Sequence, residues 1–283
     1  MSVLLEIENP LVSVNWLYQN IDATNLVVLN GTLPKVVLKK DELNTDEYQI
    51  PRARFFDIKR EFSIQEAQFP NTVIEPKEFE LKARELGINN DSCIVVYDEY
   101  GIYSSARVWW LFKSMGFENV AVLDGGFFNW KKEKYPTEKK QEKSFDKGSF
   151  TVDYQPDKII NSDRILSSLT KKSIQILDAR SSGRYNSIDP EPRKGVRNGH
   201  IPNSKNLPYS SLLNEAKLKS KKELKEIFKA VNSDNKELIF SCGSGITACV
   251  LALGATIAGY DKLSVYDGSW TEWGSIEHLP IEK

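Results

Sequence analysis

Apolar residues along the chain fall into short, β-rich runs and longer runs with helical spacing. Ile94-Val-Val-Tyr-Asp98, Asn119-Val-Ala-Val-Leu-Asp124, Leu238-Ile-Phe-Ser-Cys242 and Leu263-Ser-Val-Tyr-Asp267 each hold only a few apolar residues and end at a turn signal. That pattern predicts buried strands. Ser104–Gly116 and the apolar stretch ending at Gly259 are long enough for helices. Pro76 can occupy the first turn of a helix that Gly87 stops. Lys221–Ala230 places Leu224, Ile227 and Phe228 on one face.

The pattern occurs twice. In each half a β-rich run leads through a loop and a helical stretch to a second β-rich run, which ends in Asp-Gly-x-x-x-x-Trp: Asp124–Trp130 first, Asp267–Trp273 second. Upstream, Tyr48-Gln-Ile-Pro51 corresponds to Gly199-His-Ile-Pro202, in the same order. The arrangement is a duplicated domain rather than a short-period solenoid. Lys131–Gln155, between the halves, is charged and reads as an exposed linker. Strands alternating with helices imply an α/β layer structure with a mostly parallel sheet, whose ligand site lies beyond the carboxyl ends of the strands. In the second half Cys242 falls there.

Charge narrows the function classes. The chain has 283 residues, with 38 Lys+Arg against 39 Asp+Glu. This balance offers no general attraction to nucleic acid or to an anionic membrane. Met1–Asn20 lacks Lys and Arg, unlike a secretory signal or an Arg-rich transit peptide. Leu238–Tyr260 carries no charge over a span-length stretch, but four glycines and several hydroxyl residues interrupt it, so it reads as a strand and a helix rather than a membrane span. Three cysteines cannot staple a chain of this length, which points to a reducing compartment, taken as the cytoplasm.

Chemistry concentrates in Cys242-Gly-Ser-Gly-Ile-Thr-Ala-Cys249, a loop between a strand and a helix. Glycines at 243 and 245 would permit positive φ, so the loop amides can form an anion nest. The helix start near Thr247 adds its positive dipole end, and together these favour a thiolate at Cys242. Six residues separate Cys242 from Cys249, which fits neither a redox pair nor a zinc knuckle. A cysteine phosphatase would need an arginine where Ala248 stands. Cys93 and Cys249 read as packing residues. Asp98 takes the place of Cys242 in the first half, which should therefore be catalytically silent.

The duplicated halves, the His200-Ile-Pro202 triplet, the cysteine loop and the Asp-Gly endings resemble the rhodanese superfamily of sulfurtransferases over roughly Leu11–Gly274. The resemblance implies two tandem rhodanese-like domains, each a mostly parallel sheet flanked by helices: residues 1–136, silent; 137–156, a linker; and 157–283, catalytic. Within the superfamily, Cys-Gly-Ser-Gly-Ile-Thr-Ala resembles the loop of the 3-mercaptopyruvate branch. Thiosulfate-preferring relatives carry Arg-Lys where Gly243-Ser244 stands. A compact dianion needs cations beside the thiolate, whereas mercaptopyruvate needs them further out. Gly183–Arg193 resembles the family's substrate loop, and Arg184 and Arg193 fall on its two arginine positions. Arginine can clamp a carboxylate and polarise the adjacent keto oxygen.

The implied reaction is a two-step sulfur transfer. Arg184 and Arg193 bind 3-mercaptopyruvate, Cys242 takes its sulfur as a persulfide, and pyruvate leaves. Gly243, Gly245, Ile246 and Thr247 lend the loop that cradles substrate and persulfide, while Ser244 relays a proton. A thiol such as thioredoxin, a small thiol, or cyanide in an assay then accepts the sulfur. No metal or organic cofactor is implied. Two alternatives stay open: a thiosulfate:cyanide sulfurtransferase, and a rhodanese-fold interaction module without turnover. Some family members place an acid and then a histidine after the Phe-Phe-Asp-Ile stretch, as a relay with the loop serine. Here Phe55-Phe-Asp-Ile58 is followed by Lys59, with no histidine before Pro70, so that form of relay is absent. His200 reads as a loop anchor, His278 as an exposed residue, and Trp109, Trp110, Trp270 and Trp273 as packing.

Overall fold

A computed structural model describes residues 4–35, 47–141 and 143–283. The chain divides into two compact units. The first comprises residues 1–65, 73–155 and 215–217; the second comprises 66–72, 156–214 and 218–283. Each is built on a five-stranded parallel sheet, as the alternation of strand and helix patterns requires.

In the first unit the strand order is Leu11–Val12, Val120–Leu123, Cys93–Tyr97, Leu26–Asn30, Arg54–Phe55. Cys93–Tyr97 is central and buried along its whole length, because helices cover both faces of such a sheet. The predicted helices are Pro76–Glu85 and Ser105–Ser114, and the first gives way to Gly87 at φ 68°. Trp109 and Trp110 are buried in the second. Most of the charged stretch after Tyr135 is exposed. Phe150 is an exception, fully buried with its ring against Phe79, Phe112 and Phe117.

The second unit repeats the order: Ile159–Ile160, Leu263–Tyr266, Glu237–Ser241, Ile174–Asp178, Lys205–Asn206. Glu237–Ser241 is the central strand, and its register sets Ser241 opposite Asp178. Lys221–Val231 forms the amphipathic helix, with Leu224 and Phe228 buried; Ser220 and Glu223 close a capping box at its start. The uncharged stretch resolves into the central strand and helix Ala248–Ala258. Among the described residues, no helix is long and apolar enough to cross a membrane.

Candidate active site

Cys242 leaves the carboxyl end of the central strand and is 1% exposed. The loop runs to Thr247, after which helix Ala248–Ala258 begins. Gly245 adopts φ 73°, the left-handed region that a glycine enters freely. Gly243 does not. It supplies room instead, since a Cβ there would stand 3.2 Å from Nη2 of Arg184. The expectation of two positive-φ glycines is therefore corrected at Gly243, whose small size serves an approaching side chain rather than a turn.

The loop is held from the side by the start of helix Ser269–Trp273. The amides of Trp270 and Thr271 donate to the carbonyls of Cys242 and Gly243, each at 2.9 Å. The Thr271 hydroxyl also donates to Gly243 O, at 2.5 Å. Oγ of Ser269 accepts from the amides of Cys242 at 3.1 Å and Gly245 at 3.2 Å, and lies 3.9 Å from the Cys242 Sγ. Its own hydrogen goes to Tyr266 O at 2.8 Å, the nearer acceptor. Ser269 holds φ 51°, an unfavourable conformation for a residue with a Cβ, kept here by four polar contacts.

Two arginines reach the same peptide. Arg184, in the short helix Ser182–Tyr185, lies against Gly243 and pairs through Nε and Nη2 with Glu191, at 3.2 and 2.6 Å. Arg193 donates from Nη1 to Thr271 Oγ1 at 3.3 Å, and Thr271 in turn holds Gly243 O. Behind them, Arg180 is buried, forked onto Asp178, bonded to Glu191 and to Gly199 O, and laid over the Trp270 ring at 4.4 Å. Burial alone would lower its pKa, but the carboxylates of Asp178 and Glu191 keep it above the usual arginine value. Because Asp178 sits opposite Ser241, this ion chain fixes Arg184 relative to the strand that carries Cys242.

Ser244 is 6% exposed. Nδ2 of Asn71 lies 3.1 Å from its Oγ and 3.2 Å from its carbonyl oxygen. Ile246 is buried, and Thr247 is the last residue before the helix. The structure thus brings Cys242, Gly243, Ser244, Gly245, Arg184 and Arg193 together. Sequence reasoning missed Asn71, Arg180, Glu191, Ser269 and Thr271. The Asp-Gly-Ser-Trp-Thr run that carries two of these was visible, but only as a repeat marker.

The first unit shows how such a loop treats an anion. Asp98 follows the strand Cys93–Tyr97 and is fully buried. Its Oδ2 accepts from the amides of Tyr103, Ser104 and Ser105 at 2.8, 3.0 and 2.9 Å and from the Ser105 hydroxyl at 2.7 Å. Oδ1 takes the Tyr100 amide at 2.9 Å. The carboxylate fills the loop that its own strand and helix form.

Cys93 is buried, and desolvation pushes its thiol up to about 11, so it stays protonated and unreactive at neutral pH. Sγ of Cys249 faces Gly245 O at 3.3 Å inside the core. His200 donates from Nδ1 to Tyr185 O at 3.0 Å, and its ring stacks on the Tyr185 ring. It anchors that segment, while His278 is exposed. Among the described residues, no group of His, Cys, Asp and Glu is arranged to hold a metal ion.

The family model for the rhodanese-like domain matches residues 13–133 and again 162–276. The chain is 34% identical to the 3-mercaptopyruvate sulfurtransferase of Escherichia coli (strain K12) over 96% of its length and 97% of that protein's. It is 37% identical to the Mus musculus protein of the same name, with 96% and 95% covered. To the thiosulfate sulfurtransferase of Bos taurus it is 35% identical, with 93% and 91% covered. The crystal structure of the Escherichia coli 3-mercaptopyruvate enzyme superimposes with a TM-score of 0.81 at 30% identity, covering 93% of this chain and 99% of that one.

Proposed function

Because the chain belongs to the rhodanese family, with two rhodanese-like domains, we propose that it is a sulfurtransferase that takes sulfane sulfur from 3-mercaptopyruvate onto Cys242 and passes it to a thiol. The observation that carries this reading is the convergence on one residue: Gly243, directly after Cys242, leaves room for Arg184, whose Nη2 would stand 3.2 Å from a Cβ there, and its carbonyl is linked to Arg193 through Thr271.

Arg184 and Arg193 take the substrate carboxylate and keto oxygen. Glu191 occupies the Nε and Nη2 edge of Arg184, so Nη1 is the edge a carboxylate would meet. The Cys242 thiolate attacks the substrate sulfur, the S–C bond breaks, and its electron pair leaves with the carbon as pyruvate enolate. The helix start and the loop amides other than those of Cys242 and Gly245, which Ser269 holds, stabilise the sulfur anion, by analogy with Asp98 in the first half. A protein thiol such as thioredoxin, a small thiol, or cyanide in an assay then takes the outer sulfur. The three free, buried cysteines support a reducing compartment such as the cytoplasm.

Identity does not separate donors, since 3-mercaptopyruvate and thiosulfate relatives score within a few percent of each other. The loop does: Gly243 and Ser244 put no cation next to Cys242, which favours the donor whose charge lies away from its sulfur. The test is an intact-mass spectrum after brief exposure to each donor, with Cys242→Ser as control. One added sulfur from 3-mercaptopyruvate, lost in the variant, is expected. Loading mainly from thiosulfate would transfer the chain to that reaction, and no adduct from either would sink the catalytic reading.

A further inference from the structure

We infer that Asn71 is a positioning residue that holds the Ser244 hydroxyl as a proton donor for the departing enolate. This rests on the sulfurtransferase reading above.

The atom assignment follows from the partners. Ser244 O can only accept, so the Asn71 atom 3.2 Å from it must be the NH₂ group. The same NH₂ faces Ser244 Oγ at 3.1 Å, and an amide nitrogen does not accept, so Oγ is the acceptor there too. Two consequences result. The paired bonds to backbone and side chain of one residue fix the Ser244 side-chain rotamer. They also direct the hydroxyl hydrogen away from Asn71, toward another acceptor. An imidazole at this place could take the serine proton; a carboxamide cannot. Ser244 is therefore kept as a hydroxyl acid rather than turned into a base. Asn71 sits at φ 63°, a conformation that asparagine tolerates better than most residues and that aims its side chain.

The proton balance closes without another acid. Attack by the Cys242 thiolate on the substrate thiol gives Cys–S–SH and the enolate. Ser244 gives its hydroxyl proton to the enolate carbon and recovers one from the S–H, leaving Cys–S–S⁻ and pyruvate. Thiosulfate, by contrast, releases sulfite and needs no proton on carbon. Asn71 should then matter for one donor and not for the other.

The experiment compares wild type with Asn71→Ala, Asn71→Asp and Asn71→Gln, following both steady-state turnover and Cys242 sulfur loading with each donor. A positioned proton donor contributes roughly a hundredfold or more, and loosening one should cut the rate to about a tenth to a hundredth. The expected result is a kcat with 3-mercaptopyruvate about tenfold to a hundredfold lower in the Ala and Asp variants, KM changing little. Loading from thiosulfate should stay within about twofold. The Gln variant, which keeps a carboxamide N–H donor, should retain more of kcat than either of the other two. Unchanged kcat in the Ala variant, or equal losses with both donors, would overturn the inference. Failure of the wild type to load sulfur at all would instead remove the functional reading beneath it.

Discussion

Ser269 shows how much the site depends on a residue that carries no obvious chemistry. Its hydroxyl is the acceptor for two amides of the cysteine loop, and all three groups are buried. Removing it takes away the hydroxyl that accepts from these amides, and losing such a buried acceptor costs about 1–3 kcal/mol for each donor before relaxation. Ser269→Ala should lower unfolding free energy by about 2 kcal/mol and slow sulfur loading at Cys242. Urea denaturation and timed mass spectra would check both, and a variant with normal stability and normal loading would contradict the brace. The residue scale is also where sequence reasoning was strongest and weakest. Cys242, Ser244, Arg184 and Arg193 were legible because a thiol, a hydroxyl and two guanidinium groups sit in patterned loops. Glu191 was in the same quoted segment but looked like one more surface acid. Only its two bonds to Arg184 and its pairing with Arg180 show that it aims Arg184.

At the scale of elements, the strand–loop–helix unit occurs twice with different contents. Asp98 and Cys242 both leave a central strand, but the first loop closes on a permanent carboxylate with five donors around it. Such charge-assisted bonds are among the strongest a buried loop can make, about 1.5–3 kcal/mol each. Asp98→Asn keeps the shape but loses the charge and turns an NH₂ toward at least one donor. It should destabilise the chain by about 3 kcal/mol, read as a lower denaturation midpoint. A loss below about half a kilocalorie per mole would show that shape alone matters there. The duplication was visible in the sequence because periodicity and turn residues survive divergence. The brace from Ser269–Trp273 onto the cysteine loop was not, because it is made of backbone and hydroxyl bonds between segments far apart in the chain.

At the scale of the whole molecule, overall similarity is blind to donor choice, since relatives named for both donors match nearly the full chain at close to the same identity. Asn71 makes the same point about architecture: it lies in a segment between first-unit residues, yet 66–72 belongs to the second unit, so no local pattern could have joined it to Ser244. Donor choice must then reside in a few loop positions, and Gly243 is the sharpest of them. A Cβ there meets the guanidinium of Arg184 at 3.2 Å, tight enough to force a shift in that flexible side chain. Gly243→Ala should therefore raise KM for 3-mercaptopyruvate several-fold by moving Arg184, without improving thiosulfate use. Gly243→Arg combined with Ser244→Lys should go further. It pushes Arg184 aside, removes the Ser244 hydroxyl proposed above as the enolate's proton donor, and sets two cations beside the thiolate, where a compact dianion gains most. The ratio of kcat/KM for thiosulfate to that for 3-mercaptopyruvate should rise by about a hundredfold or more, equivalent to about 2.7 kcal/mol of differential transition-state binding. Because screening weakens interactions between exposed charges, the thiosulfate gain should shrink as salt is raised, while the mercaptopyruvate loss, which comes from displaced geometry, should not. A ratio unchanged at every ionic strength would mean that charge at these two positions does not set the donor.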